Sequence, residues 1–133
     1  MPTYTARFKH LSWNEEPTSE KDIEGPRLTR ASVVKEYEGD VTGTGTVEFV
    51  MAYVTDATAA FVGVERFEGS IGDRKGTLLL EHHGVFDQGR VTDTWTTVAN
   101  SGTEALAGVD ARVQFEAGHA EQFACTFEVA DSH

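Results

Sequence analysis

Ala57-Thr58-Ala59-Ala60-Phe61-Val62-Gly63-Val64-Glu65-Arg66-Phe67-Glu68 and Lys75-Gly76-Thr77-Leu78-Leu79-Leu80-Glu81-His82-His83-Gly84-Val85 flank the turn Ile71-Gly72-Asp73-Arg74. This stretch decides the fold. Both segments are rich in β-branched and aromatic residues, and the glycine-containing turn predicts a hairpin. Centred on that turn, the hairpin sets Glu65 opposite Leu80. Strand alternation then gathers Phe61, Gly63, Glu65 and Phe67 on one face with Leu78, Leu80 and His82. A second turn, Asp87-Gln88-Gly89-Arg90, sets His82 opposite Trp95, with Asp93 and Thr97 on the same face. That face is mostly aromatic and aliphatic, so it is the expected interior. It also carries a carboxylate and an imidazole one strand apart.

The same texture extends in both directions. Sixteen threonines, fourteen valines and thirteen glycines favour strands and tight turns, and no window shows a sustained 3.6-residue apolar period. Eight strands are predicted: Thr3–His10, Leu28–Glu38, Val41–Val54, Ala57–Glu68, Lys75–Val85, Gly89–Val98, Leu106–Glu116 and Glu121–Val129. Asn14 to Pro26 reads as the one long polar connection, either crossing an end of the barrel or partly disordered, and any turn of helix at Glu20 to Ile23 is stopped by Gly25-Pro26. The length of 133 residues fits one domain, 1–133, with a core of its own.

Charge and cysteine content narrow the function classes. Eleven Lys and Arg against 22 Asp and Glu give a net charge of −11, which disfavours nucleic acid and anionic membrane surfaces as partners. The lone Cys125 excludes an intrachain disulfide, and the N-terminal residues lack the pattern of a signal peptide, so a cytoplasmic protein is expected. No apolar run is long enough to span a bilayer as a helix.

Five blocks in order carry a family resemblance: Lys35-Glu36-Tyr37-Glu38-Gly39-Asp40-Val41-Thr42-Gly43, Phe61 to Gly69, Gly76 to His82, Trp95-Thr96-Thr97-Val98, and Ser101 to Gly108. Together they resemble domain-of-unknown-function family 3224, small bacterial proteins with an allene-oxide-cyclase-like barrel. The resemblance implies an all-β fold, an eight-stranded antiparallel closed β-barrel with a central cavity, and no assigned activity. Glu81 stands where the family often has Gln, and His83 follows His82.

Within such a barrel the candidate catalytic pair is Glu65 and His82. A carboxyl group among Phe61, Phe67 and Leu80 resists ionisation unless a cation or hydrogen-bond donor holds it charged, and an adjacent imidazole can share its proton. The blander reading is a structural pair that satisfies itself in the core. Phe61, Phe67, Leu80, Trp95 and Tyr37 are the candidate ligand-binding walls, with His82 or a protonated Glu65 as the polar anchor. Lys35 shares the alternation of Ala31, Val33 and Tyr37; turned inward it would pair with Glu65 and Tyr37 would donate to a substrate oxygen, yet its charge favours an outward position. His10, His119 and His133 read as solvent-exposed.

No metal site and no cofactor is expected. Adjacent strand residues such as His82 and His83 point to opposite faces and cannot grip one ion. Gly43-Thr44-Gly45 and Ser101-Gly102-Thr103 lack the spacing of phosphate loops and read as turns and barrel kinks. Cys125, between Phe123 and Phe127, reads as a buried, inert thiol. The function expected is binding of a small, mostly apolar molecule; the alternatives are a cofactor-free isomerase or cyclase and a structural protein with a filled core. Outward Val62, Val64 and Leu79 favour a homodimer or trimer.

The face assignment has a direct test. His82→Ala is expected to destabilise by about 1–3 kcal/mol by leaving a buried partner unpaired. His83→Ala stays within about 0.5 kcal/mol. Denaturant titrations of the two variants check this, and equal effects would overturn the register.

Overall fold

The computed structural model describes residues 2–18 and 25–131. Eight strands run in chain order: β1 (Thr3–Pro17), β2 (Arg27–Gly39), β3 (Val41–Thr55), β4 (Thr58–Ile71), β5 (Arg74–Asp87), β6 (Arg90–Thr97), β7 (Val109–Ala117) and β8 (Phe123–Asp131). Each pairs antiparallel with its neighbours, and β1 closes on β8, so the sheet is a closed eight-stranded barrel. Closure leaves no free edge between these strands. Among the described residues no helix is long and apolar enough to cross a membrane.

The turns set the register. Ile71 pairs with Arg74 across the two residues Gly72 and Asp73, and Gly72 takes φ +62°, as a hairpin with glycine at its first central position requires. Asp87 pairs with Arg90 across Gln88 and Gly89, whose φ values of 52° and 84° are both left-handed. Glu65 therefore faces Leu80, and His82 faces Trp95, as the sequence predicts.

Strand ends shift by a few residues throughout, and two of the differences have a visible backbone cause. β1 continues to Pro17, because a bulge between His10 and Ser12 inserts Leu11 as an extra residue. Before the bulge Phe8 points inward; after it the parity reverses, and Trp13 and Glu15 stand opposite the inward Val33 and Ala31. The polar run after Asn14 is thus partly strand, while the helical turn expected at Glu20 to Ile23 lies outside the described residues. At the other end of the chain, β7 starts at Val109 and not at Leu106. Gly108 takes φ +78° there, and Glu104–Leu106 form a single 3₁₀ turn.

The interior divides along the barrel axis. One half is filled by Val41, Phe67, Ile71, Leu78, Leu80, Val109 and Phe127 around Leu106, which the 3₁₀ turn inserts as a plug. The other half is lined by a separate cluster of Ala31, Val33, Val47, Phe49, Met51, Ala59 and Phe61. Outside, Val50, Val62, Val64 and Val85 lie exposed.

Leu106 is fully buried at the closed end. Leu106→Ala is expected to lower stability by about 2–5 kcal/mol through the cavity it leaves, read as a shift in the denaturant midpoint with an unchanged slope.

Candidate functional site

Where the two halves meet, four ionisable side chains cross the barrel. β2 turns Lys35 inward with Ala31, Val33 and Tyr37; β4 supplies Glu65, β5 His82 and β6 Asp93. The outward position expected for Lys35 is corrected here. Alternation with three buried neighbours overrides the preference of a charged residue for water, because a partner waits inside. That partner is two strands away. Gly45 of β3 stands between Lys35 and Phe67 in the ladder, and a Cβ there would collide with the Glu65 carboxylate. A missing side chain lets β2 reach β4 across β3. Gly43 and Gly45 are therefore inward strand positions that make room, not turns.

The contacts form one chain. Glu65 Oε1 lies 2.9 Å from Lys35 Nζ and 2.7 Å from His82 Nε2, while Oε2 accepts from the Tyr37 hydroxyl at 2.5 Å. His82 Nδ1 lies 2.7 Å from Asp93 Oδ2, which also accepts from Trp95 Nε1 at 2.7 Å. Asp93 Oδ1 accepts from the His83 backbone N–H at 3.1 Å. Both imidazole nitrogens face carboxylate oxygens, and both contacts are satisfied when each nitrogen carries a proton. Aromatic faces complete the surroundings: Lys35 Nζ sits 3.8 Å from the Trp95 ring centre and 4.4 Å from that of Phe8.

Electrostatics follow from these partners. Burial alone would push the Glu65 carboxyl up; Lys35, then His82 and Tyr37, outweigh it and hold it at about 2. Burial and the neighbouring Glu65 charge raise the Tyr37 hydroxyl well above its ordinary value. Burial pushes the Cys125 thiol up to about 12, in keeping with an inert side chain.

A pocket of about 450 Å³ opens above this floor, at the barrel end bearing the β5–β6 turn and the β7–β8 connection. Nine of its lining residues are Phe, Tyr or Trp. Of the residues anticipated as a site, His82, Trp95 and Phe61 line it. Glu65 does not, and neither do Phe67, Leu80 and Tyr37, which belong to the closed half because they lie toward the plugged end of their strands. A protonated Glu65 as ligand anchor is corrected too, since the carboxyl is ionised and already holds three donors. Lys35, Asp93, Trp13, His10 and His119 line the pocket and were not foreseen as site residues. The alternation of β2 was the available signal for Lys35; nothing in the residue pattern announces the bulge that brings in Trp13.

The family model described as "Protein of unknown function (DUF3224)" matches residues 4–129. The chain belongs to this family. A crystal structure of a DUF3224 protein of unknown function from Shewanella oneidensis MR-1 superposes on it with a TM-score of 0.78. The two are 20% identical, over 100% of this chain and 99% of that one, so the DUF3224 likeness is one of fold. No curated protein matches the chain.

The charged floor of this DUF3224 barrel makes stability pH-dependent. Glu65 titrates at about 2 when folded, against about 4.3 in an unfolded chain. Between those values the unfolded state binds a proton that the folded state does not, so acid favours unfolding. Stability is expected to be fully present above about pH 5 and to fall toward pH 2. Glu65→Gln removes this contribution and leaves Lys35 without its counter-ion, at a cost of about 3–5 kcal/mol at pH 7. Unfolding measured over a pH series should show a lower plateau and a shallower acid limb for the variant.

Proposed function

We propose that the barrel binds a small, mostly apolar molecule that carries one hydrogen-bond-accepting oxygen. The observation that carries this reading is a donor surplus on the pocket floor. Lys35 brings three N–H donors, and Glu65 is its one oxygen partner among the described residues. The oxygens of Glu65 and Asp93 are each already engaged, so the floor offers hydrogen bonds and asks for none. A carbonyl oxygen suits it; an amine does not.

Shape and charge agree with that polarity. The volume lies within the range of small-molecule pockets, and aromatic walls favour a flat, unsaturated body. Burying about 200 Å² of apolar ligand surface contributes about 5 kcal/mol before the costs of association are met. The whole chain carries −11, so a neutral ligand is favoured over an anion. In this reading Glu65 and His82 hold Lys35 in place, and Lys35 touches the ligand. The space above the floor speaks against a purely structural, filled barrel.

Trp13 and Trp95 are the two tryptophans of the chain, and both line the pocket. Neutral aryl ketones are expected to change their emission and raise the melting temperature in a thermal-shift panel that also holds amines, carboxylates and phosphates. Val91→Phe, at a half-buried lining position, should weaken that binding roughly 10-fold or more while the melting temperature of the free protein moves by only a few degrees. A panel in which only phosphates bind would overturn the reading.

A further inference from the structure

One pocket residue has no role in the binding scheme. His10 stands directly opposite Lys35 in the β1–β2 ladder, on the last pairing before the bulge, and both line the pocket. Its ring packs against Phe8 at 5.9 Å, Trp13 at 5.5 Å and Phe123 at 5.4 Å. The described hydrogen bonds include none to its imidazole, in contrast to His82, whose two nitrogens are both occupied. We propose that the pocket is an enolisation site, in which Lys35 holds the carbonyl oxygen of a ketone and His10 removes a proton from the adjacent carbon. This rests on the binding reading above and gives it a substrate class: neutral ketones whose α-carbon also bears an aryl or vinyl group.

The chemistry needs an electrophile that stays charged and a base that stays neutral, side by side. Lys35 pairs with Glu65 at 2.9 Å, and the Trp95 and Phe8 faces keep water off two of its sides. Burial, and then the positive charge of Lys35, lower the pKa of His10 from its ordinary 6.5, so the free base prevails at neutral pH. Directly opposed strand residues have Cβ atoms about 4.5–5.5 Å apart. An oxygen resting on the lysine therefore brings the carbon two bonds away toward the imidazole.

The step balances without any further reagent. The α C–H bond breaks and its proton passes to a ring nitrogen of His10. The released electron pair forms the carbon–carbon double bond as the carbonyl π pair moves onto oxygen, where Lys35 stabilises the enolate. Return of the proton to the same carbon regenerates the ketone. In an unsaturated substrate, return to the far carbon of the conjugated system shifts the double bond, which is an isomerisation. Glu65 and His82 act only as positioning residues for Lys35.

The test uses 2-tetralone as probe in D₂O, with loss of the C1 proton signal followed by NMR and binding followed by tryptophan emission. The wild-type protein is expected to accelerate exchange well beyond an equal concentration of free imidazole. His10→Gln, a change at the rim that leaves the core intact, should slow exchange roughly 10²-fold while binding persists. His83→Gln, on the outer wall, should change neither. Binding without accelerated exchange, or exchange that survives in His10→Gln, overturns the enolisation proposal and leaves the binding reading standing. Absence of binding by 2-tetralone and by every other neutral ketone overturns both.

Discussion

The buried ion pair between Lys35 and Glu65 is the constraint on which the interior depends. Each charge alone would cost several kcal/mol to bring into the barrel, and the pair recovers that only with good geometry and with the other acceptor sites of the carboxylate engaged. Every other feature of the floor serves that condition. Tyr37 and His82 occupy the rest of the Glu65 carboxylate; Asp93 meets the second nitrogen of His82; Trp95 and the His83 backbone meet Asp93. Among the described residues no buried side-chain nitrogen or oxygen lacks a partner. Such a network is costly to leave half-made, so it specifies one arrangement of β2, β4, β5 and β6.

That arrangement divides the barrel into two unlike halves. Toward the plugged end, large apolar side chains meet Leu106 and leave nothing to fill. Toward the open end, the rings of Phe49 and Phe61 sit against the wall over Gly63 and Gly84, where a Cβ would collide with them, and the pocket lies open beside them. Room on the axis therefore comes from rings seated over glycines of the wall, and polarity comes from a layer fixed by the packed half beneath it. A cavity supported in this way is pre-formed.

Much of this was legible in the residues. The hairpins around Gly72 and Gly89 have turn chemistry that admits one register, and from it follow the neighbours Glu65, Leu80, His82 and Trp95. Alternation separated His82 from His83 and buried Cys125. Two things were not decided there. The inward Lys35 paired with Glu65 stood as the less favoured alternative, because lysine is usually exposed, and the gap at Gly45 that lets the two meet is a long-range feature. The bulge at Leu11 reverses the parity of β1, and a one-residue insertion leaves no mark that local propensity can detect. Each failure concerns a residue that lines the pocket or aims one into it, where local preference yields to a tertiary requirement.

The bulge also explains why the pocket differs in character from top to floor. Without it, β1 would carry one inward set along its whole length, and His10 would be followed inward by Ser12 and Asn14. With it, the next inward side chains are Trp13 and Glu15. Glu15 is fastened by hydrogen bonds from Thr29 at 2.6 Å, Tyr53 at 2.8 Å and Trp13 Nε1 at 3.0 Å. The carboxylate at the mouth thus repeats the device used on the floor: one acid gathers several donors and fixes the rings that carry them. Here it pins Trp13 and Tyr53 at the rim, and Trp13 stacks on Phe49 with 6.2 Å between ring centres. The apolar walls are held by polar atoms at both ends. An aromatic pocket of this width would otherwise gain by collapsing its rings on one another, and the two anchored carboxylates oppose that collapse.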